Sequence, residues 1–417
     1  MLFYRLFITL LWLPVALALL TRVFSGRERL SDWLERVGLR CLSSDEPRLW
    51  LHAASNGELE SARPVIFALR EADPSLKLLV TTNSLSGRDM ARNWDISGVI
   101  AQLAPLDTRW SAARIVRRCR VQGLVIIESE FWPNRIAALS NRSLPVTVLG
   151  ARLSRKSAQT WRRLASLARE LQARITYLSP QDEGSRRRFL SLGARAEQMG
   201  PVLNLKAFYA PPKDMVPDDD LRAVFSPEST WLAASTHSGE EEIVLEAHKR
   251  LQSDWPDLQL IIAPRHPSRG GEIGSLARHK GFNVALRSEG DRPRQNAVYV
   301  ADTMGEMPLW YQSAGISFVG GSLVEKGGHT PFEPAVFSSA ILHGPDVRNF
   351  TAIYRKLDIA GAAIQVDDAS SLRSAVLQLR DADRRNAMQR VAHDALDQPA
   401  HLDAITEELV RSLTPGA

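Results

Sequence analysis

From about residue 48 onward the chain alternates short apolar runs with longer amphipathic ones, and few architectures tolerate that rhythm. LWLHAAS leads into GELESARPVIFALREA, and LKLLVTTN leads into SGRDMARNW. GLVIIES, LPVTVLGA and ITYLSP follow, separated by Arg-rich helical stretches. The short runs predict strands buried on both faces, and the long ones predict covering helices. YAPPKDMVPDDD, residues 209–220, breaks the pattern with prolines and acids and reads as a linker. The alternation then restarts with TWLAAST, LQLIIAP, FNVALR, AVYVAD, GISFVGG and AILHGP. Two successive α/β units are therefore expected, each a doubly wound sheet, over residues 24–208 and 223–417 with the linker at 209–222. Ligands of such sheets sit beyond the carboxyl ends of the strands, so a site is expected there, in the cleft between two facing domains.

Residues 1–23 stand apart. MLFYRLFITLLWLPVALALL carries a single charge, Arg5, and Leu6 to Leu20 are almost wholly apolar. Three readings are open: a membrane anchor or interfacial helix, a cleaved signal peptide with Ala16-Leu17-Ala18 as the cleavage site, and a buried core helix. Arg22, Arg27, Arg29 and Arg36 follow closely, and basic residues after an apolar segment favour its retention on the cytoplasmic side. An uncleaved anchor, with the bulk of the protein in the cytosol, is the expectation. The two cysteines, Cys41 and Cys119, give neither a disulfide framework nor metal-site spacing. A net charge of +5 suits anionic lipid or phosphate-bearing ligands, and it is too dispersed to argue for nucleic acid.

Polar residues cluster at the strand ends. Glu58 opens the helix after LWLHAAS, where a helix N-terminal acid and a carboxylate base are both possible. VIIESEFWPN ends an apolar strand with Glu128 and Glu130, either a cleft carboxylate or ordinary helix-start acids. In the second half, STHSGEEE offers Ser235, Thr236 and His237 to a phosphate, or plain capping by Ser238. APRHPSR places Arg265 and His266 at a strand end, and ADTMGEM does the same for Asp302, Thr303, Gly305 and Glu306. VEKGGHTPFEPAVF, residues 324–337, is the most unusual stretch. Gly320, Gly321, Gly327 and Gly328 let backbone approach a ligand, Pro331 suits a helix start, and Glu333 can accept from ribose hydroxyls. With the two-unit layout this suggests a nucleotide-sugar transferase.

These segments together resemble the 3-deoxy-D-manno-octulosonic acid (Kdo) transferases of lipopolysaccharide synthesis. The resemblance covers nearly the whole chain: the N-terminal anchor, then EFWPN, ARLS, NLK, STHSGEE, PRHP, DTMGE, FVGGSLVEKGGH and PFE, in this order. It implies a GT-B glycosyltransferase fold of two Rossmann-like domains facing a central cleft, with an N-terminal anchor helix on the cytoplasmic face of the inner membrane. It further implies metal- and cofactor-independent, inverting transfer of Kdo from CMP-Kdo to a lipid A precursor (lipid IVA), with no nucleic acid involved. By resemblance Glu58 is the general base, and Glu128 and Lys206 stabilise the transition state. Pro264 and Arg265 hold CMP; Met304, Gly305 and Glu306 form the MGE nucleotide contact. Thr330, Pro331, Phe332 and Glu333 form the ribose-contacting helix start, and the family commonly has Asn where Thr330 stands. A related transferase with another donor or acceptor, and a catalytically silent lipid- or nucleotide-binding protein on the same scaffold, are the alternative readings.

Overall fold

A computed structural model describes residues 1–208, 215–396 and 399–413. Its contacts divide the chain into two compact units, Met1–Phe208 with Gln398–Ala417, and Tyr209–Asp397. The first unit holds six parallel strands: β1 Arg48–His52, β2 Lys77–Thr82, β3 Val99–Leu103, β4 Val121–Ile127, β5 Val146–Ala151 and β6 Tyr177–Pro180. Their order is β3-β2-β1-β4-β5-β6. The second holds seven: β7 Thr230–Thr236, β8 Gln259–Pro264, β9 Asn283–Leu286, β10 Ala297–Val300, β11 Ile316–Val319, β12 Ala340–His343 and β13 Ala363–Gln365, all parallel. Their order is β13-β12-β11-β7-β8-β10-β9.

The apolar runs are strands for the reason the pattern implies. Helices cover both faces, so successive residues are buried in both directions, as along Leu49 to His52 and Gln259 to Pro264. Trp50 and Trp231 sit fully buried in the two sheets. Each indole N–H is satisfied, by Thr81 Oγ1 at 2.8 Å and His248 Nδ1 at 3.2 Å, which is the condition for placing so large a ring in a core. The strands β3 and β13, unremarked in the sequence, lie at sheet edges.

Each sheet reverses its winding once. In the first, the chain departs in opposite directions from β1 and β4; in the second, from β7 and β11. Loops after these strands diverge and leave a crevice at the carboxyl edge, where such sheets bind ligands.

At the amino end, helix Leu2–Phe24 is long and apolar enough to cross a membrane by length and composition. Its half-buried residues Tyr4, Ile8, Trp12, Val15, Leu19 and Val23 repeat at helical spacing and form one stripe. That stripe lies against the first unit. Tyr4 Oη donates to Asp107 at 2.9 Å, Arg5 Nε to Asn134 at 3.3 Å, and Trp33 Nε1 to the Ala16 carbonyl at 2.8 Å. Leu2, Phe3, Leu6, Phe7, Leu10, Leu13 and Leu17 remain exposed. The segment read as a separate anchor is thus attached to the unit that follows it.

Helix Pro399–Leu413 packs on helix Asn56–Ala72 of the first unit, and its Ile405 and Leu409 are buried in that unit's core. The sequence reading carried the second domain to residue 417; the structure places helix Pro399–Leu413 with the first unit.

Candidate active site

In the first unit the two loops flanking the β1/β4 crevice carry the acids. Ser55 caps helix Asn56–Ala72, its Oγ accepting from Glu58 N at 3.3 Å. Glu58 Oε2 turns back to accept from Ala54 N at 2.8 Å. This resembles a capping box, displaced by one residue. A helix N-terminus ordinarily lowers a carboxyl pKa. Here burial wins: desolvation, with the charges of Glu128 and Glu130, lifts Glu58 to about 7 against the bonds from Ala54 and Ser55. A carboxyl in this range is poised for proton exchange at neutral pH.

Glu128 follows β4 directly and holds a left-handed backbone, φ +58°. Its N–H donates to the Leu149 carbonyl at 3.0 Å, so the strained residue is fixed by the neighbouring strand. Left-handed backbone at a non-glycine residue costs energy and recurs at functional sites. Lys206 stands in a 3-10 turn, Leu205–Phe208, which packs on helix Asn56–Ala72. Its N–H donates to Asn204 Oδ1 at 3.2 Å, and Leu203 N–H ties this segment to the end of β6 through the Pro180 carbonyl at 2.8 Å. The structure therefore brings Glu128 near Glu58, and places Lys206 in the turn that packs on the helix Glu58 opens.

In the second unit the β7/β11 crevice is lined by the STHSGEE and GGSLVEKGGH loops. His237 and His329, one from each, face each other with Nε2 atoms 2.9 Å apart. His266, after β8, meets His237 edge-on at 5.9 Å. Two imidazole nitrogens at that separation share one proton. Partial burial, with Lys326, His266 and Arg265 nearby, lowers the pKa of His237. An anion placed here would relieve that crowding of positive charge.

One carboxylate organises the crevice. Glu240 is wholly buried, and its Oε2 accepts from His237 N at 2.9 Å and Gly321 N at 2.7 Å. Its Oε1 accepts from Ser322 N and Leu323 N, both at 3.0 Å. The helix cap is Gly239, φ +97°, in place of the expected Ser238. Backbone N–H groups that the sequence offered to a phosphate are thus partly engaged by Glu240. No local pattern marks Glu240, since three consecutive glutamates open that helix.

The remaining predicted contacts also follow strand ends. Pro264 ends β8 and is buried; Arg265 is exposed, and its N–H donates to the Thr236 carbonyl at 3.0 Å. After β10, Met304 is 76% exposed and Gly305 has φ +86°. Glu306 is paired with Arg287 at 2.8 and 3.1 Å and accepts from Thr303 Oγ1, a partnership the sequence did not suggest. Thr330 and Pro331 lead into helix Phe332–Val336. At five residues this helix supplies little macrodipole. Phe332 is 1% exposed, so only its backbone can meet a ligand. Glu333 is half-buried at the helix start. Gly320 has no room for a Cβ, which would lie 2.6 Å from the Ser235 carbonyl oxygen, so glycine here permits the two loops to close on each other.

A family model for 3-deoxy-D-manno-octulosonic-acid transferase (kdotransferase) matches residues 31–209. The 3-deoxy-D-manno-octulosonic acid transferase of Haemophilus influenzae is 33% identical over 356 residues, 84% of this chain and 83% of the relative. A probable mitochondrial 3-deoxy-D-manno-octulosonic acid transferase of Arabidopsis thaliana is 32% identical over 389 residues, 90% and 87% of the two chains. Among solved structures, a glycosyltransferase from Rickettsia africae matches with TM-score 0.59 at 10% identity, covering 90% of this chain and all of its own. That likeness is one of fold: the two parallel-sheet units are those of a GT-B glycosyltransferase.

Proposed function

The chain belongs to the 3-deoxy-D-manno-octulosonic acid (Kdo) transferase family, and from that premise we propose that it transfers Kdo, with inversion, from CMP-Kdo to a lipid A precursor, lipid IVA. The observation that carries the reading is Glu58: a carboxyl with a pKa of about 7 beside two further carboxylates, at the winding reversal of the first sheet.

An acceptor hydroxyl attacks the anomeric carbon of Kdo. The new glycosidic C–O bond forms as the bond to the CMP phosphate breaks. The hydroxyl proton passes to Glu58, and CMP leaves with the electron pair of the broken bond. Positive charge that develops on the sugar is stabilised by the Glu128 carboxylate, and Lys206 pairs with the Kdo carboxylate. The leaving phosphate is met by Arg265, beside the His237–His329 pair. Met304, Gly305, Glu306 and the 330–333 segment address the nucleoside. Arg287 orients Glu306 for this task.

The apolar face of helix Leu2–Phe24 anchors the protein on the cytoplasmic side of the inner membrane. Its exposed leucines and phenylalanines enter the lipid, and Arg22, Arg27 and Arg29 meet anionic headgroups. Purified full-length protein incubated with CMP-Kdo and vesicles holding a tetraacylated lipid A precursor is expected to float with the vesicles and to add Kdo to the acceptor, seen by mass spectrometry. An acceptor mass that does not change refutes the transferase reading. Protein left at the bottom of the gradient refutes the anchoring.

Arg265→Ala is expected to weaken CMP binding roughly 10- to 100-fold, the loss of one charge-assisted hydrogen bond, with folding undisturbed because the side chain is exposed. Calorimetry with CMP reads this directly, and an unchanged Kd removes Arg265 from the site.

A further inference from the structure

Glu58 and Glu130 both meet the short segment that ends β1, at Ala54 and His52 respectively. Ala54 N donates to Glu58 Oε2 at 2.8 Å, and two residues earlier His52 places Nε2 3.6 Å from Glu130 Oε2. His52 ends β1 and is 1% exposed. Trp50 Nε1 donates to Thr81 Oγ1 at 2.8 Å. His52 Nδ1 lies 2.9 Å from that Oγ1 and 3.1 Å from the Thr81 carbonyl oxygen. Burial, helped by Arg135, pushes the ring's pKa down to about 4, so it is neutral at pH 7. Nδ1 is thus engaged by Thr81, and Nε2 faces Glu130 Oε2 at 3.6 Å, beyond hydrogen-bond distance.

The Trp132 indole N–H donates to Glu130 Oε2. Arg135, buried with its guanidinium 5.4 Å from the Trp132 ring, adds a positive charge behind it. Against the burial that would raise it, these contacts bring Glu130 down to about 2. Glu130 is a fixed anion, yet none of the steps above uses it.

We propose that Glu130 is a positioning residue for the transfer reaction: held by Trp132 beside His52 at the end of β1, its fixed negative charge strengthens Glu58 as the base. This rests on the reading of Glu58 given above. From the loop after β4, Glu128 and Glu130 act on Glu58. The other elements packed on its helix bring Lys206, Arg88 and Asp89 on helix Leu85–Asn93, and Asp403 and Glu407 on helix Pro399–Leu413. Arg88 is committed to Asp32 at 2.6 Å.

The test is the pH dependence of kcat/KM for Kdo transfer. Activity falls at low pH as Glu58 takes up its proton. Glu130→Gln removes a neighbouring negative charge, so this acid limb is expected to move down by roughly half to one pH unit, with CMP affinity unchanged. Glu130→Asp keeps the charge and should keep the wild-type limb. A rate that drops equally at every pH, with the limb unmoved, overturns the proposal. Glu130→Met is a second neutral variant read in the same way; if neither neutral variant folds, Glu130 is structural and the proposal falls. Glu58→Gln, assayed alongside, separates the two readings. If it still transfers, Glu58 is not the base. If it is inactive while Glu130→Gln keeps the wild-type limb, only the role of Glu130 is lost.

Discussion

Glu58→Gln is expected to bind CMP as the wild type does and to transfer Kdo on the order of 10²- to 10⁴-fold more slowly, the usual contribution of a general base. Glutamine preserves the size of the side chain and can accept from Ala54 N through its amide oxygen, so the helix start survives. Stability provides a second readout. The folded carboxyl keeps its proton up to about pH 7, well above the ordinary glutamate value of 4.5. A pKa raised on folding means the native state binds more protons in that window, so stability declines as pH rises from about 4.5 to about 7. The neutral amide escapes the cost of burying a charge. After allowance for solvent screening at a half-exposed site, the variant should be about 1 kcal/mol more stable at pH 7. A transfer rate near wild type would reject Glu58 as the base and bring Glu128 forward.

Glu240→Ala is expected to have the largest effect on folding. It strips two oxygens from four backbone N–H groups, those of His237, Gly321, Ser322 and Leu323. Each buried donor left without an acceptor costs about 1–3 kcal/mol, so the loss is on the order of 5 kcal/mol or more. That is a large share of the ~5–15 kcal/mol that holds a domain together. Urea denaturation of the variant should show an early transition or a second unit that is unfolded from the start, with CMP binding lost. Glu242→Ala, two residues on and exposed, serves as the control and should stay within about 0.5 kcal/mol of wild type. Should Glu240→Ala unfold within about 1 kcal/mol of wild type, the carboxylate does not hold the two loops as described.

Most of the architecture is written locally. LQLIIAP and LPVTVLGA can hardly be anything except buried parallel strands, because no other element hides so many consecutive β-branched and leucine side chains. VIAQL and AIQ escaped notice because edge strands are half covered and need less apolar sequence. The positions of Glu58, Glu128 and Arg265 were legible from their family resemblance and their place after apolar runs. Their electrostatics were not. That Glu58 is raised rather than lowered depends first on its burial in the fold, and then on acids seventy residues away, reached only when β1 pairs with β4. The same holds for Glu240, three of whose four partners lie more than eighty residues further along the chain. His52 reads as one more strand residue until the fold puts Glu130 opposite its ring.

The Pro399–Leu413 helix has a bearing on how the protein is made. A ribosome delivers residues in order, so the whole second unit emerges before this helix does. The first unit meanwhile waits with Ile405 and Leu409 missing from its core and the apolar side of helix Asn56–Ala72 only partly covered. Its last wall arrives with the final stretch of the chain. Nascent chains stalled before residue 399 would thus present a finished second unit attached to an unfinished first one. The unit that carries Glu58 is the last to be completed.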